Sequence, residues 1–103
     1  RQLKRILRRT GVGIARTGGY TGHGSGEVMI GFTTANRIPS GCEEELLQLS
    51  AIPEHVINRA FLAAAEAEQE AILNSMTAAK QTRGRKGELY YSLAEYLNDR
   101  EPE

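Results

Sequence analysis

The sequence predicts a mixed α/β (α+β) fold with one central strand between two helices, and three observations carry that prediction. Residues 2–16 place Leu3, Ile6, Leu7 and Ile14 at helical spacing, with arginines between them. Residues 28–34 are β-rich, with Val28, Ile30 and Phe32 alternating with Met29, Gly31 and Thr33. Residues 53–80 carry a long alanine-rich apolar stripe at helical period.

In chain order, the first element is an amphipathic helix over residues 2–16. Gly11 and Gly13 weaken it by roughly 1 kcal/mol each relative to Ala, which predicts close packing against a neighbour. Next comes a glycine-rich run, in which five of the ten residues from Thr17 to Gly26 are glycine. Such a backbone turns sharply and admits a ligand or another chain at close range. Both faces of the strand at 28–34 are mostly apolar or small, which predicts a central position covered on both sides. A loop at Ile38-Pro39-Ser40-Gly41 leads into residues 42–49, acids followed by leucines. Pro53 suits the first turn of the long helix, whose stripe is Val56, Ile57, Ala60, Phe61, Ala64, Ala67, Ala71, Ile72, Met76 and Ala79. Thr82-Arg83-Gly84-Arg85-Lys86-Gly87 is a turn-rich stop. A short helix is expected around Leu89, Leu93 and Leu97, with residues 99–103 a frayed tail.

One buried strand cannot satisfy its own ladder donors and acceptors. The chain is therefore expected to complete its sheet with strands from another polypeptide.

Length and composition set the outer limits. A chain of 103 residues, 40% hydrophobic and 25% charged, fits one small domain. It contains no apolar run long enough for a membrane span, and no membrane partner is expected. The opening Arg1-Gln2-Leu3-Lys4-Arg5 has neither an initiator Met nor an apolar signal segment, and we expect a fragment or a processed subunit. A single cysteine, Cys42, excludes an internal disulfide and a cysteine metal cluster. The zero net charge hides a pattern: residues 1–16 carry +6 and residues 41–75 carry −6. The basic run has no interleaved aromatics and no nucleic-acid signature, so it reads as a solvated helix face and no nucleic acid is expected.

In an extended segment, residues two apart project to the same side, so Ser25 and Glu27 would face one pocket. A hydroxyl beside a carboxylate can orient and proton-couple a nucleophile. By itself the pair is a weak signal, and a turn with a capped hydroxyl is the plainer reading. His23 lies in the glycine loop and could line a site; His55 reads as a surface residue. No metal cluster is present. Gly11-Val12-Gly13 lacks the third glycine of a dinucleotide fingerprint, and the glycine loop lacks the Gly-Lys-Ser/Thr of a P-loop. No cofactor is expected.

Several motifs lie together. An arginine-rich helix is followed by Gly-Ile-Ala-Arg-Thr-Gly (13–18), Tyr-x-Gly-x-Gly-Ser-Gly-Glu (20–27), a strand and Thr-Ala-Asn (34–36). This run resembles the C-terminal subunit of the DmpA family, the L-aminopeptidase/D-amidase-esterases and related β-aminopeptidases. Glu70-Ala71-Ile72-Leu73-Asn74-Ser75-Met76 and Gly84-Arg85-Lys86-Gly87 extend the resemblance, which covers most of residues 3–87. The tail after Glu88 departs from the pattern. His23 also departs, standing where relatives often have a smaller polar residue, which bears on substrate preference.

The resemblance implies a four-layer αββα sandwich of the DmpA/ornithine-acetyltransferase type, with residues 1–103 the β-subunit part of a single domain and an α subunit of the same precursor completing it. It implies autoproteolysis of that precursor and an N-terminal serine nucleophile on the β subunit. Hydrolysis of peptides, amides or esters then runs through an acyl-enzyme, with oxyanion donors from the α subunit. Ser25 and Glu27 match the two accessory catalytic positions, and Gly22, Gly24 and Gly26 would shape the site. The nucleophile would open a strand just before Arg1, and none of Ser25, Ser40, Ser50, Ser75 or Ser92 matches it. The chain alone is therefore expected to be inactive. A higher homo-oligomer of αβ units is also expected. The compartment stays open, cytoplasmic favoured, or periplasmic should a precursor N-terminus carry a signal. Two other readings stand beside this one: acetyl transfer of the ornithine acetyltransferase type, and a non-enzymatic binding module using the basic helix.

Overall fold

The computed structural model describes residues 1–99. The first predicted helix is two: α1 (Gln2–Leu7) and α2 (Thr10–Arg16). At the break the N–H of Arg9 donates to Ile6 O at 2.9 Å and that of Val12 to Arg9 O at 3.0 Å, the tighter one-three spacing of a helix end. The Thr10 hydroxyl donates to Leu7 O at 2.8 Å, offering the backbone an alternative partner at the bend. The sequence carries the reason: the stripe Leu3, Ile6, Leu7, Ile14 is interrupted by polar Thr10 and by Gly11.

The long helix begins later than predicted. Pro53 precedes a single 3-10 turn, Glu54–Val56, and α3 runs Ile57–Ala78. Near its end the Ser75 hydroxyl donates to Ile72 O, and the Thr77 hydroxyl to Leu73 O and Asn74 O. Ala79 then turns extended. Residues 82–90 form a hairpin that the sequence reading treats only as a turn. In it β1 (Thr82–Arg83) pairs antiparallel with β2 (Leu89–Tyr90), with Thr82 opposite Tyr90. Gly87, at φ +87°, closes the turn by donating to Gly84 O at 3.0 Å, a conformation glycine adopts without a side-chain penalty. The tail helix α4 is Leu93–Asn98. Leu89 therefore belongs to the hairpin and not to this helix. Ser92 and Glu95 cap α4 reciprocally, with Glu95 N–H to Ser92 Oγ at 3.2 Å and Ser92 N–H to Glu95 Oε2 at 2.8 Å. Of the predicted tail, Asp99 is the α4 cap; residues 100–103 lie outside the described residues.

The packing centre is the crossing of α2 on α3. Ile57 and Ala65 are each 3% exposed, and Gly13 is buried between α2 and α3. A Cβ on Gly13 would stand 2.6 Å from Ala65 O and 2.7 Å from Glu68 Cβ. The close approach expected of the glycines is thus real at Gly13. At Gly11 the same atom would meet only Met29 Cε, at 3.8 Å. On α3 Ile57 and Ala65 are buried and Ala60, Phe61, Ala64, Glu68, Gln69 and Ile72 are half-buried, whereas Ala67, Ala71, Met76 and Ala79 of the predicted stripe are exposed.

The basic face is only partly solvated. The Arg9 guanidinium lies 4.2 Å from the Phe61 ring centroid and Arg5 lies 5.5 Å from it, a cation–π arrangement. Arg5 Nη1 also donates to Glu54 Oε2 at 2.7 Å, and Gln2 Nε2 donates to Glu54 Oε1. These hydrogen bonds hold the Glu54 carboxyl below the usual carboxylate range, Arg5 contributing most.

Two side-chain amides fix the chain after the predicted strand. Gln2 bonds both the N–H and C=O of Ile52, and Asn36 bonds both those of Ser50. Residues 28–34 themselves form neither helix nor paired strand. Val28, Ile30 and Phe32 are 91%, 87% and 83% exposed. Met29 is half-buried, and Gly31 backs onto Leu7, whose Cδ atoms would lie 2.9 Å from a Cβ there. The alternation is that of an extended run, but only the Met29/Gly31 side is covered. The expected cover on both sides is absent among the described residues.

The molecule measures 69 × 34 × 27 Å with a radius of gyration of 20.0 Å. A compact domain of this length has about 13 Å.

Candidate active site

The glycine-rich run builds an open cavity of about 540 Å³. Its wall is the continuous stretch from Gly19 to Glu27, closed below by Ile14 of α2. Thr17 caps α2, its hydroxyl donating to Ile14 O at 2.8 Å, and Gly18, at φ +98°, reverses the chain. A tight turn follows, with the Ser25 N–H donating to Gly22 O at 2.9 Å.

Ser25, Glu27 and His23 all line this cavity. Ser25 and Glu27 thus lie in one wall, together with every residue between them. All three side chains are exposed. Among the described residues, Ser25 Oγ and the His23 ring make no hydrogen bond. Glu27 is the one carboxylate in the wall, and no lysine or arginine lines it. The local field therefore suits a cation or a hydrogen-bond donor.

Of the three glycines singled out, Gly22 abuts the Tyr20 ring, 3.1 Å from where a Cβ would sit. Gly24 and Gly26 face open space and need no left-handed backbone. Among the described residues nothing requires glycine at either position.

One residue escaped the sequence reading. Thr21 has φ +55°, a left-handed conformation that costs a β-branched residue about 1–2 kcal/mol. Its hydroxyl donates to Glu27 Oε1 at 2.8 Å. No sequence signal marks it beyond its place in the glycine-rich run. Elsewhere among the described residues, no group of three or more His, Cys, Asp or Glu side chains converges as a metal site would require, and no helix is long and apolar enough to cross a membrane.

This glycine-rich wall on a helix–loop–helix frame has counterparts. The model of peptidase family S58 matches residues 1–90, and the chain belongs to that family. Over 86 residues it is 33% identical to the beta-peptidyl aminopeptidase BapA of Sphingosinicella microcystinivorans, covering 84% of this chain and 22% of that protein. Over 93 residues it is 29% identical to the enzyme of the same name from Sphingosinicella xenopeptidilytica, covering 89% and 23%. The crystal structure of the PH0078 protein from Pyrococcus horikoshii OT3 superposes with a TM-score of 0.84 at 44% identity, over 94% of this chain and 28% of that one. The chain thus spans under a quarter of the length of the curated relatives it matches.

Proposed function

We propose that this chain supplies one wall of the catalytic centre of a serine-dependent aminopeptidase or amidase, assembled from two subunits of one self-cleaving precursor. The observation that carries the reading is the cavity shared by Ser25 and Glu27 in a member of peptidase family S58. The nucleophile is the N-terminal serine of the β subunit, on a strand preceding α1. Ser25 Oγ and the Glu27 carboxylate hydrogen-bond that serine and its free amine and hold them ready for attack. The serine oxygen adds to the scissile carbonyl, the amine leaves with a proton, and water hydrolyses the ester.

A wall with one carboxylate and no lysine or arginine suits the ammonium of a free peptide N-terminus, which favours aminopeptidase over endopeptidase action. The open room at Gly24 and Gly26 admits the serine terminus and the α subunit. That subunit also covers Val28, Ile30 and Phe32, pairs with residues 28–34 and completes the αββα sandwich; the thin core and extended shape support such a partner. The binding-module reading loses ground, since Arg5 and Arg9 are engaged with Phe61.

The test is intact-mass analysis of the protein made from its complete gene, after treatment with a serine-acylating reagent. Two chains, the smaller beginning at a serine upstream of Arg1 and carrying the adduct there, are expected. A single unprocessed active chain, or an adduct on Ser25, would overturn the reading. Turnover of acetylornithine in place of peptide amides would assign the acetyltransferase chemistry instead.

A further inference from the structure

We infer that Thr21 is a positioning residue for Glu27, an inference that rests on the catalytic reading of Glu27 given above. The Thr21 hydroxyl has a single proton and gives it to Glu27 Oε1 at 2.8 Å. This contact joins residues six apart and closes the loop that carries Ser25. Within the loop, the Gly22–Ser25 turn fixes the Ser25 backbone, so one ring of bonded groups carries both accessory side chains.

The backbone points the same way. Thr21 stands at φ +55° although it is β-branched. Such a conformation persists where its surroundings over-determine it. A glycine at position 21 would hold the left-handed backbone at no steric cost. Placing threonine there aims a hydroxyl at the carboxylate. With Oε1 occupied, Oε2 is left for a donor entering the cavity. A carboxylate on an exposed loop samples several rotamers, and a charge-assisted hydrogen bond selects one of them.

The experiment uses the complete processed enzyme and compares Thr21→Val, Thr21→Gly, Thr21→Ser and Glu27→Gln in peptide-amide hydrolysis. Removing a hydrogen bond to a charged group predicts a fall in kcat of roughly 10- to 100-fold for Thr21→Val, with KM little changed. Thr21→Gly relaxes the backbone but lacks the hydroxyl, and it should fall equally. Thr21→Ser, which keeps the hydroxyl, should restore kcat. Should Thr21→Val fail to fold, Thr21→Gly decides: wild-type kcat there would mean that the hydroxyl does nothing and would overturn the inference. A raised KM at unchanged kcat would make Thr21 a substrate contact and also overturn it. Glu27→Gln separates the two levels. If Glu27→Gln is silenced while Thr21→Val and Thr21→Gly turn over normally, only the positioning role fails. If Glu27→Gln is fully active, the catalytic reading fails and the inference with it.

Discussion

Gly13 lies against the backbone of Ala65, with room for a hydrogen but not a methyl: an added Cβ would stand 2.6 Å from the Ala65 carbonyl oxygen. This contact fixes α2 on α3, and α2 in turn forms the floor of the cavity through Ile14. The site's position is set here, in a chain with few other buried contacts.

The first prediction compares two glycines of α2. Gly13→Ala should destabilise the protein by about 1–3 kcal/mol through overpacking against rigid backbone. Gly11→Ala meets only the flexible end of Met29 and should be neutral or stabilising by up to about 1 kcal/mol from helix propensity. Denaturant unfolding of the two variants beside the wild type measures the difference.

The second concerns acid. Arg5 and Gln2 hold the Glu54 carboxyl below its usual range. The bound proton is therefore disfavoured in the folded state, and the Arg5–Glu54 contribution is fully present above the unfolded value of about 4.3. It is lost as pH falls through the lower folded value. Wild type should melt above Glu54→Gln at pH 7, and the gap should close below about pH 4. Because the pair is exposed, the gap is small and should shrink with salt. A gap independent of pH would disprove the ionic contribution.

A third follows from Val28, Ile30 and Phe32, which no side chain covers among the described residues. Phe32→Asp puts a charge where the proposed partner sheet needs an apolar surface. Losing one buried aromatic is worth about 1.5–3 kcal/mol, so association with the α subunit should weaken at least about tenfold. Co-purification of the two chains, or backbone hydrogen exchange over residues 28–34 in the assembled protein, reports it. Unprotected amides there would contradict the shared sheet.

Much of this was legible in the sequence, for physical reasons. The long helix announced itself through the period of Ile57, Phe61, Ala64 and Ile72, and the close approach at Gly13 through a glycine inside a helical pattern. Ser25 and Glu27 line one cavity because the whole run from Gly19 to Glu27 forms its wall, and the glycine richness of that run was the readable signal. The break between α1 and α2 was marked by the gap at Thr10 and Gly11, which the arginines obscured. The Ser92–Glu95 capping box was readable as Ser-x-x-Glu and places α4 after Leu89. The stacking of Arg5 and Arg9 on Phe61 joins residues about fifty positions apart, beyond any local pattern. So does the clamp of Gln2 on Ile52. Thr21 was hidden because its role depends on a backbone angle that no threonine is expected to adopt.

The central claim is that Ser25 and Glu27 work together on a nucleophile from outside residues 1–103. Steady-state hydrolysis of a peptide amide by the complete enzyme, with Ser25→Ala and Glu27→Gln beside wild type, tests it most directly. Each variant should lose roughly 100-fold or more in kcat while keeping the wild-type melting temperature, and the double variant should fall much less than the product of the two losses. Wild-type turnover in either single variant would contradict the account.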